Sequence, residues 1–188
     1  MKENRKDLEL GKFISLILRH SPETIGITLD EHGWAKVEEL IEGINRVGKT
    51  IDFETLERIV KENNKQRYSF SDDRTKVRAN QGHSIEVDVE LEESIPPKYL
   101  YHGTSTRFID SIMSVGIQKQ SRKYVHLSMD LDTALSVGKR HGKPVVLKID
   151  SIRMFDDGHK FYLSKNGVWL TDYVSVKYIS LQNNKDKV

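Results

Sequence analysis

Apolar residues recur at helical spacing from Asp7 to about Arg19, where Leu8, Phe13, Ile14, Leu16 and Ile17 share one broad face. Ser21-Pro22 ends that run, because a residue preceding proline is pushed out of the helical region. The stretch GITLDEHGWAKV predicts two short extended pieces around a turn at His32-Gly33. A second helix follows in VEELIEGINRVG, with Val37, Leu40, Ile41 and Ile44 on one side and Gly48 near its end. Asp52 is placed to cap a third helix, FETLERIVKENN, with Phe53, Leu56, Ile59 and Val60 inward. After it, RYSFSDDRTKVRA alternates and turns at Ser71-Asp72-Asp73, the pattern of a β-hairpin. Three helices followed directly by a hairpin is the order of a winged helix, in which the third helix and the wing usually face nucleic acid. The same order also serves winged helices that make only protein contacts.

The pattern changes at Glu92-Glu93-Ser94-Ile95-Pro96-Pro97, a stiff and polar joint that sets a boundary between residues 1–94 and 95–188. Beyond it, KYLYHG reads as a strand and TSTRFIDSIMSVG as a helix, with Phe108, Ile109, Ile112 and Met113 inward and Gly116 as its stop. YVHLSM is a short strand, and DLDTALSVGKRHG a helix capped by Asp130 or Asp132. PVVLKID is a buried-type strand, FYLSKNGVWLTDYV a hairpin turning at Asn166-Gly167, and VKYISLQ the last strand. The terminal NNKDKV is expected to fray. The expectation is an α+β chain: a helical N-terminal lobe with a wing, then a β-rich lobe with two short helices.

Composition narrows the class. Hydrophobic residues make up 37% and charged residues 31% of the 188, which suits a globular, water-exposed protein. The apolar runs are far too short to span a bilayer, and the N-terminus lacks the apolar core of a signal peptide. With no cysteine there is no thiol chemistry and no zinc-thiolate site. A cytoplasmic monomer without membrane association is expected. The net charge of +2 hides an asymmetry: residues 1–93 carry 15 basic against 20 acidic side chains, residues 94–188 carry 15 against 8. A basic second half suits an anionic ligand as well as a solvated surface. Within the acidic first half, Lys61 to Arg78 is locally positive.

Four clusters hold polar groups that packing alone does not require. Arg19-His20 closes the first helix, where cationic side chains also favour the macrodipole by a few tenths to about 1 kcal/mol. Arg67 enters the wing in KQRYSF. RANQGHS offers Asn80, Gln81, His83 and Ser84 around Gly82, as a polar turn or as a binding loop. YHGTS and VHLS each place a histidine, His102 and His126, at a strand end with a hydroxyl two residues on, and Arg122 precedes the second. Gly103 leaves room for a ligand to lie against the first strand. Neither the H-x-x-x-H nor the H-E-x-x-H spacing of a metal site is present, so no metal is expected. The Rossmann G-x-G-x-x-G and the Walker A loop are also missing.

Taken in order, LRH, KQRY, RANQGHS, LYHGTS, SRKYVHLS, TALSVGKRHG and GVWLTDYV resemble the signature set of the NAD-dependent RNA 2′-phosphotransferases. The similarity runs from about residue 7 to residue 181. It implies a winged-helix RNA-binding lobe (1–94) and an ADP-ribosyltransferase-like, NAD-binding lobe (95–188). It also implies the reaction: an internal RNA 2′-phosphate is transferred to NAD+ as co-substrate through an ADP-ribosylated 2′-phospho-RNA intermediate. The products are 2′-hydroxyl RNA, nicotinamide and ADP-ribose 1″,2″-cyclic phosphate. The family's catalytic Arg-His-Arg-Arg set falls on Arg19, His20, Arg67 and Arg122. Its NAD-site motifs fall on His102, Gly103 and Thr104 and on His126, Leu127 and Ser128. Asn80, Gln81, His83, Ser84, Arg140 and His141 are further candidates for contacting substrate. Where many ADP-ribosyltransferases carry a glutamate, this chain has Val174, followed by Ser175-Val176 where the family usually has prolines.

Those residue types suit the chemistry. Guanidiniums make forked hydrogen bonds to a phosphoryl group gathering negative charge, which a lysine cannot match. A histidine can give a proton to a leaving oxygen. Two other readings remain open: a winged-helix protein that senses NAD or RNA without turnover, and a related ADP-ribosyltransferase that modifies a terminal nucleic-acid phosphate or a protein.

Overall fold

The computed structural model describes residues 5–63 and 66–182. The expected fraying of NNKDKV lies outside the described residues, as does Lys65 of KQRY. The chain divides into two compact units, Met1–Glu90 and Leu91–Val188.

In the first unit the three expected helices form, although on the first Leu8 and Leu16 stay 41% and 42% exposed while Leu18 is buried. Helices α1 (Arg5–Arg19), α2 (Val37–Arg46) and α3 (Phe53–Glu62) pack with a three-stranded antiparallel sheet of β1 (Trp34–Lys36), β2 (Tyr68–Phe70) and β3 (Lys76–Ala79), in the order β1-β3-β2. Ile14, Ile17 and Leu18 of α1, Leu40 and Ile44 of α2, and Leu56 and Ile59 of α3 share the core with Val77 and Ala79. Each fully buried leucine or isoleucine of this kind contributes about 1.5–3 kcal/mol relative to exposure. Asp52 caps α3 as expected, its carboxylate accepting from Thr55 N at 2.8 Å. The α2–α3 connection is stapled by Asn45, whose amide donates to Ile51 O and accepts from Ile51 N, both at 2.9 Å.

Two further details differ from the pattern. Of the two extended pieces around His32-Gly33, only the second becomes a strand. Asp30 accepts from His32 N and Trp34 N through its side chain, which closes the turn locally and leaves residues 27–30 outside the sheet. Phe53 is 40% exposed; it meets Phe70 of β2, with ring centroids 6.0 Å apart, instead of entering the core.

The second unit holds two three-stranded antiparallel sheets. One orders β4 (Tyr99–Ser105), β6 (Pro144–Asp150) and β9 (Ile179–Leu181) as β4-β6-β9; the other orders β5 (Val125–Leu127), β7 (Tyr162–Leu163) and β8 (Trp169–Thr171) as β5-β8-β7. Tyr101 and Ser128 exchange backbone hydrogen bonds of 2.9 and 2.8 Å, which links β4 to the end of β5. The core gathers Leu100, Leu127, Leu147, Ile149, Met154, Phe161, Trp169 and Val174. Asp130, of the two candidates, caps helix α5 (Leu131–Gly138), accepting from Thr133 N at 2.7 Å.

Four readings are corrected here. Thr104 and Ser105 belong to β4, and helix α4 (Ile109–Val115) starts only after a single 3-10 turn. Phe108 and Met113, expected inward, are 41% and 39% exposed. Val176–Tyr178 forms another 3-10 turn before β9. The described residues also include a third helix, α6 (Ser151–Asp156), capped by Asp150. Its six residues are too few for a periodic pattern to show in the sequence.

Candidate active site

In the first unit the loop after β3 folds back onto the end of α1. His20 N and Ser21 N both donate to Leu16 O, at 2.9 and 3.0 Å, so the helix winds up tightly at Arg19. Ser84 N then donates to Arg19 O at 3.0 Å, and the Ser84 hydroxyl lies 2.8 Å from His20 Nδ1. Gly82, with φ of +88°, supplies the left-handed residue this return needs, and the Arg19 guanidinium packs against it. The motif RANQGHS is thus a clasp on the Arg19-His20 helix end. A helix C-terminus repels anions through its macrodipole, so any anion held here is held by side chains.

Arg67 is fixed from both sides. Its backbone N and its Nη1 donate to Asn63 Oδ1, at 3.3 and 3.2 Å. Its carbonyl accepts from Asn80 N at 2.8 Å. Asn80 is itself buried; its amide donates to Gln66 O at 2.6 Å and accepts from the Ser69 hydroxyl at 2.8 Å. That amide holds Gln66 in a left-handed conformation, φ +40°, which a side chain adopts only when its surroundings impose it.

Tyr68 joins the two arginines. Its hydroxyl donates to Gly11 O at 2.5 Å, so the Ser15 hydroxyl, also at 2.5 Å, must donate to it. Burial pushes this phenol's pKa up, opposed by the Ser15 hydrogen bond and by the charges of Arg19 and then Arg67. Both guanidiniums therefore lie within electrostatic reach of one buried ring. His83 is buried, Gln81 half-buried and Ser84 exposed beside His20.

The second unit gathers basic groups from four stretches. His102 is central in β4 and not at its end, and His126 is central in the short β5. His102 Nδ1 lies 3.1 Å from His126 O. Burial lowers the pKa of His102; the His126 carbonyl opposes this, and His141 and Arg122 add to the lowering. Arg122 is exposed, yet partial desolvation by the surrounding chain and then the charge of Arg140 lower its pKa. Arg122 and His141 thus lie within electrostatic reach of His102, and Arg140 within reach of Arg122. Among the described residues no ion pair offsets Arg122, Arg140 or His141.

Gly103 has a structural duty that the sequence did not disclose. A Cβ there would lie 1.7 Å from Ala134 O and 2.9 Å from Gly138 N, so the space beside this strand is taken by the α5 backbone. Gly138 answers it, since a Cβ there would lie 2.6 Å from Thr104 O. The close approach buries Thr104, and it carries α5 and the following turn, with Arg140 and His141, directly past β4. Leu127 is buried, while His126 and Ser128 are half-buried. Val174 is fully buried in the core and pairs through its backbone with Ile117.

Comparison with known proteins decides the family. The model of the RNA 2′-phosphotransferase, Tpt1 / KptA family matches residues 5–173. The chain belongs to that family. Named relatives agree: a "Probable RNA 2′-phosphotransferase" of Fusobacterium nucleatum is 59% identical over 174 residues, covering 92% of this chain and 97% of the relative. Proteins of the same name from Flavobacterium johnsoniae and Hahella chejuensis are 52% and 51% identical, covering 93% and 91% of this chain and 96% and 92% of their own lengths.

As an RNA 2′-phosphotransferase family member the chain is a transferase, and its family chemistry is removal of a 2′-phosphate from RNA. The matched span contains both basic groups described above. Among the described residues there is no group of three or more histidines, cysteines or acids able to hold a metal, and no helix is long and apolar enough to cross a membrane. Sequence reasoning missed Asn63. Its signal was available: a side-chain amide directly after the last turn of α3, four residues before Arg67.

Proposed function

We propose that this RNA 2′-phosphotransferase uses NAD+ as the acceptor. It takes an internal RNA 2′-phosphate through an ADP-ribosylated 2′-phospho-RNA intermediate and releases 2′-hydroxyl RNA, nicotinamide and ADP-ribose 1″,2″-cyclic phosphate. The observation that carries the reading is the basic cluster of the second unit, where Arg122 and His141 act on His102 and Arg140 acts on Arg122, with no ion pair offsetting Arg122, Arg140 or His141 among the described residues. An assembly of this kind is stabilised by a bound anion, and a dinucleotide pyrophosphate or a phosphorylated RNA supplies one.

The donor set fits NAD+. The Nδ1 proton of His102 is committed to the His126 carbonyl, and its lowered pKa keeps the ring neutral near pH 7. Its Nε2 is then an acceptor, suited to a ribose hydroxyl and unsuited to a phosphate. The half-buried Ser128 and His126 would line the sugar and amide, while the buried Gly103, Thr104 and Leu127 would support them from behind. Bound NAD+ supplies an electrophilic ribose carbon with nicotinamide as leaving group. The protein's part is to hold the partners in line, which removes association entropy. Arg122 would hold the phosphoryl oxygens as a planar fork.

In the first unit, three helices followed by a β-hairpin support a winged-helix RNA-binding lobe over residues 1–94, with Arg19, His20 and Arg67 presented to the 2′-phosphate. Ser84 sets the imidazole of His20 beside them, and Gln81 and Ser84 are the accessible members of the clasp. Residues 95–188 form the ADP-ribosyltransferase-like lobe in this reading. Val174 lies in the core where other ADP-ribosyltransferases carry a glutamate, consistent with a phosphate nucleophile that needs no general base.

The test is direct. The protein is incubated with NAD+ and a short RNA bearing one internal 2′-phosphate, and products are resolved by mass. Nicotinamide, 2′-hydroxyl RNA and the cyclic phosphate are expected together. Retention of the 2′-phosphate in the presence of NAD+ sinks the proposal.

A further inference from the structure

Asn63 stands outside the family motifs quoted above and is 8% exposed at the end of α3. One oxygen, Oδ1, accepts from Arg67 twice: from its backbone N at 3.3 Å and from its guanidinium Nη1 at 3.2 Å. Its carbonyl also accepts from Gln66 N at 2.8 Å. With Asn80 N on the Arg67 carbonyl, the whole residue is held at both backbone ends and at the guanidinium. The donors identify the acceptor atom as the amide oxygen, since the NH2 group cannot accept from either.

The chemical choice here is informative. A carboxylate would make stronger, charge-assisted versions of both hydrogen bonds. It would also neutralise the arginine. An amide oxygen orients the guanidinium and leaves its full charge available. We infer that Asn63 is a positioning residue for Arg67, one that aims the guanidinium at the RNA 2′-phosphate while being kept neutral so that the arginine's charge is spent on substrate. The inference rests on the role proposed for Arg67.

The variants Asn63→Asp and Asn63→Ala separate positioning from simple capping. Asp keeps the acceptor and adds a charge, whereas Ala removes the acceptor and adds none. If the residue only caps and braces the turn, stability and activity should rank together, with Asp above Ala. If the inference holds, the two rankings invert: Asp melts at or above the temperature of Ala but is the poorer enzyme. An added negative charge a few ångströms from a phosphate dianion should lower kcat/KM for 2′-phosphorylated RNA by roughly 10- to 100-fold relative to the wild type. The KM for NAD+ should stay at the wild-type value in both variants.

A binding measurement without NAD+ supplies the second arm. Anisotropy with a labelled RNA carrying the internal 2′-phosphate, against its 2′-hydroxyl counterpart, reads how far the phosphate is recognised. The wild type is expected to favour the phosphorylated RNA, and Asn63→Asp to lose that preference. Activity that follows melting temperature, or an Asp variant with wild-type kcat/KM and preference, overturns the inference. Wild-type protein that distinguishes the RNAs but fails with NAD+ refutes the proposed acceptor and leaves the binding arm to decide Asn63. Wild-type protein that shows no preference and no turnover overturns both.

Discussion

His102 Nδ1 meets the backbone carbonyl oxygen of His126 at 3.1 Å, so this ring is built to hold one tautomer. Because burial, with help from His141 and Arg122, depresses its pKa, the folded protein binds a proton there less readily than the unfolded chain. The group's contribution to stability is therefore fully present above the ordinary histidine value of about 6.5 and is lost as pH falls through that value toward the folded one. Thermal unfolding across pH 5 to 8 should show the wild type losing stability relative to His102→Gln below about pH 6.5. A titration followed by NMR should place the His102 midpoint under that of a free imidazole; a midpoint above it would contradict the geometry.

Replacing Gly103 should be costly for a reason unrelated to ligand. A methyl group at that position would meet Ala134 O at 1.7 Å, against helix backbone that has no flexible end to move aside. Gly103→Ala is expected to destabilise the protein by about 3 kcal/mol or more, at the upper end of overpacking effects, and Gly138→Ala to do so for the same contact. Chemical denaturation measures this. A wild-type midpoint for Gly103→Ala would show that α5 does not press on β4.

The β2–β3 hairpin carries an acid-sensitive turn. Asp73 accepts from the Ser71 hydroxyl at 2.7 Å and from Thr75 N and Oγ1 at 3.0 and 2.9 Å. These bonds, Ser71 first, lower its pKa from 3.8 to about 2. Deprotonation thus supports the turn above the unfolded value near 3.8, and that support is lost as pH falls through about 2. Amide exchange or chemical shifts of Ser71 and Thr75 should titrate with that low midpoint, and Asp73→Asn should abolish the transition.

Arg122 offers the sharpest kinetic prediction from the proposed function. Arg122→Ala should still bind NAD+ but convert 2′-phosphorylated RNA at least roughly 100-fold more slowly, as when one preorganised donor is removed from a charged transition state. The 2′-phospho-ADP-ribosyl RNA should build up in single-turnover samples. Arg122→Lys should rescue little, because an ammonium is a point charge without the planar fork. Lost NAD+ affinity with no build-up would assign Arg122 to binding instead.

Much of the molecule was legible along the chain because its signals are local. Asp52 and Asp130 lie one residue before the helices they cap. Asn166-Gly167 and Ser71-Asp72-Asp73 mark the turns of the two hairpins, and the 3.6-residue periodicity in α1, α2 and α3 selects their buried faces. Helix α6 escaped notice because six residues complete fewer than two turns. Phe108 lies in the 3-10 turn before α4, and Met113 lies on the exposed side of that helix, so the apolar positions of TSTRFIDSIMSVG do not all face the core.

By itself, the sequence determined most of the elements and the α+β class, since caps, turns and periodicity act over a few residues. Only the tertiary structure decided how the polar motifs are held. It brought RANQGHS onto the end of α1, set Asn63 and Asn80 around Arg67, and turned Gly103 into a seat for α5. It also brought Arg122 and His141 within electrostatic reach of His102, and Arg140 within reach of Arg122. Those relations join residues up to 65 positions apart, as Arg19 and Ser84 are. No local propensity encodes them; they arise when buried side chains must close a core and satisfy their hydrogen bonds together.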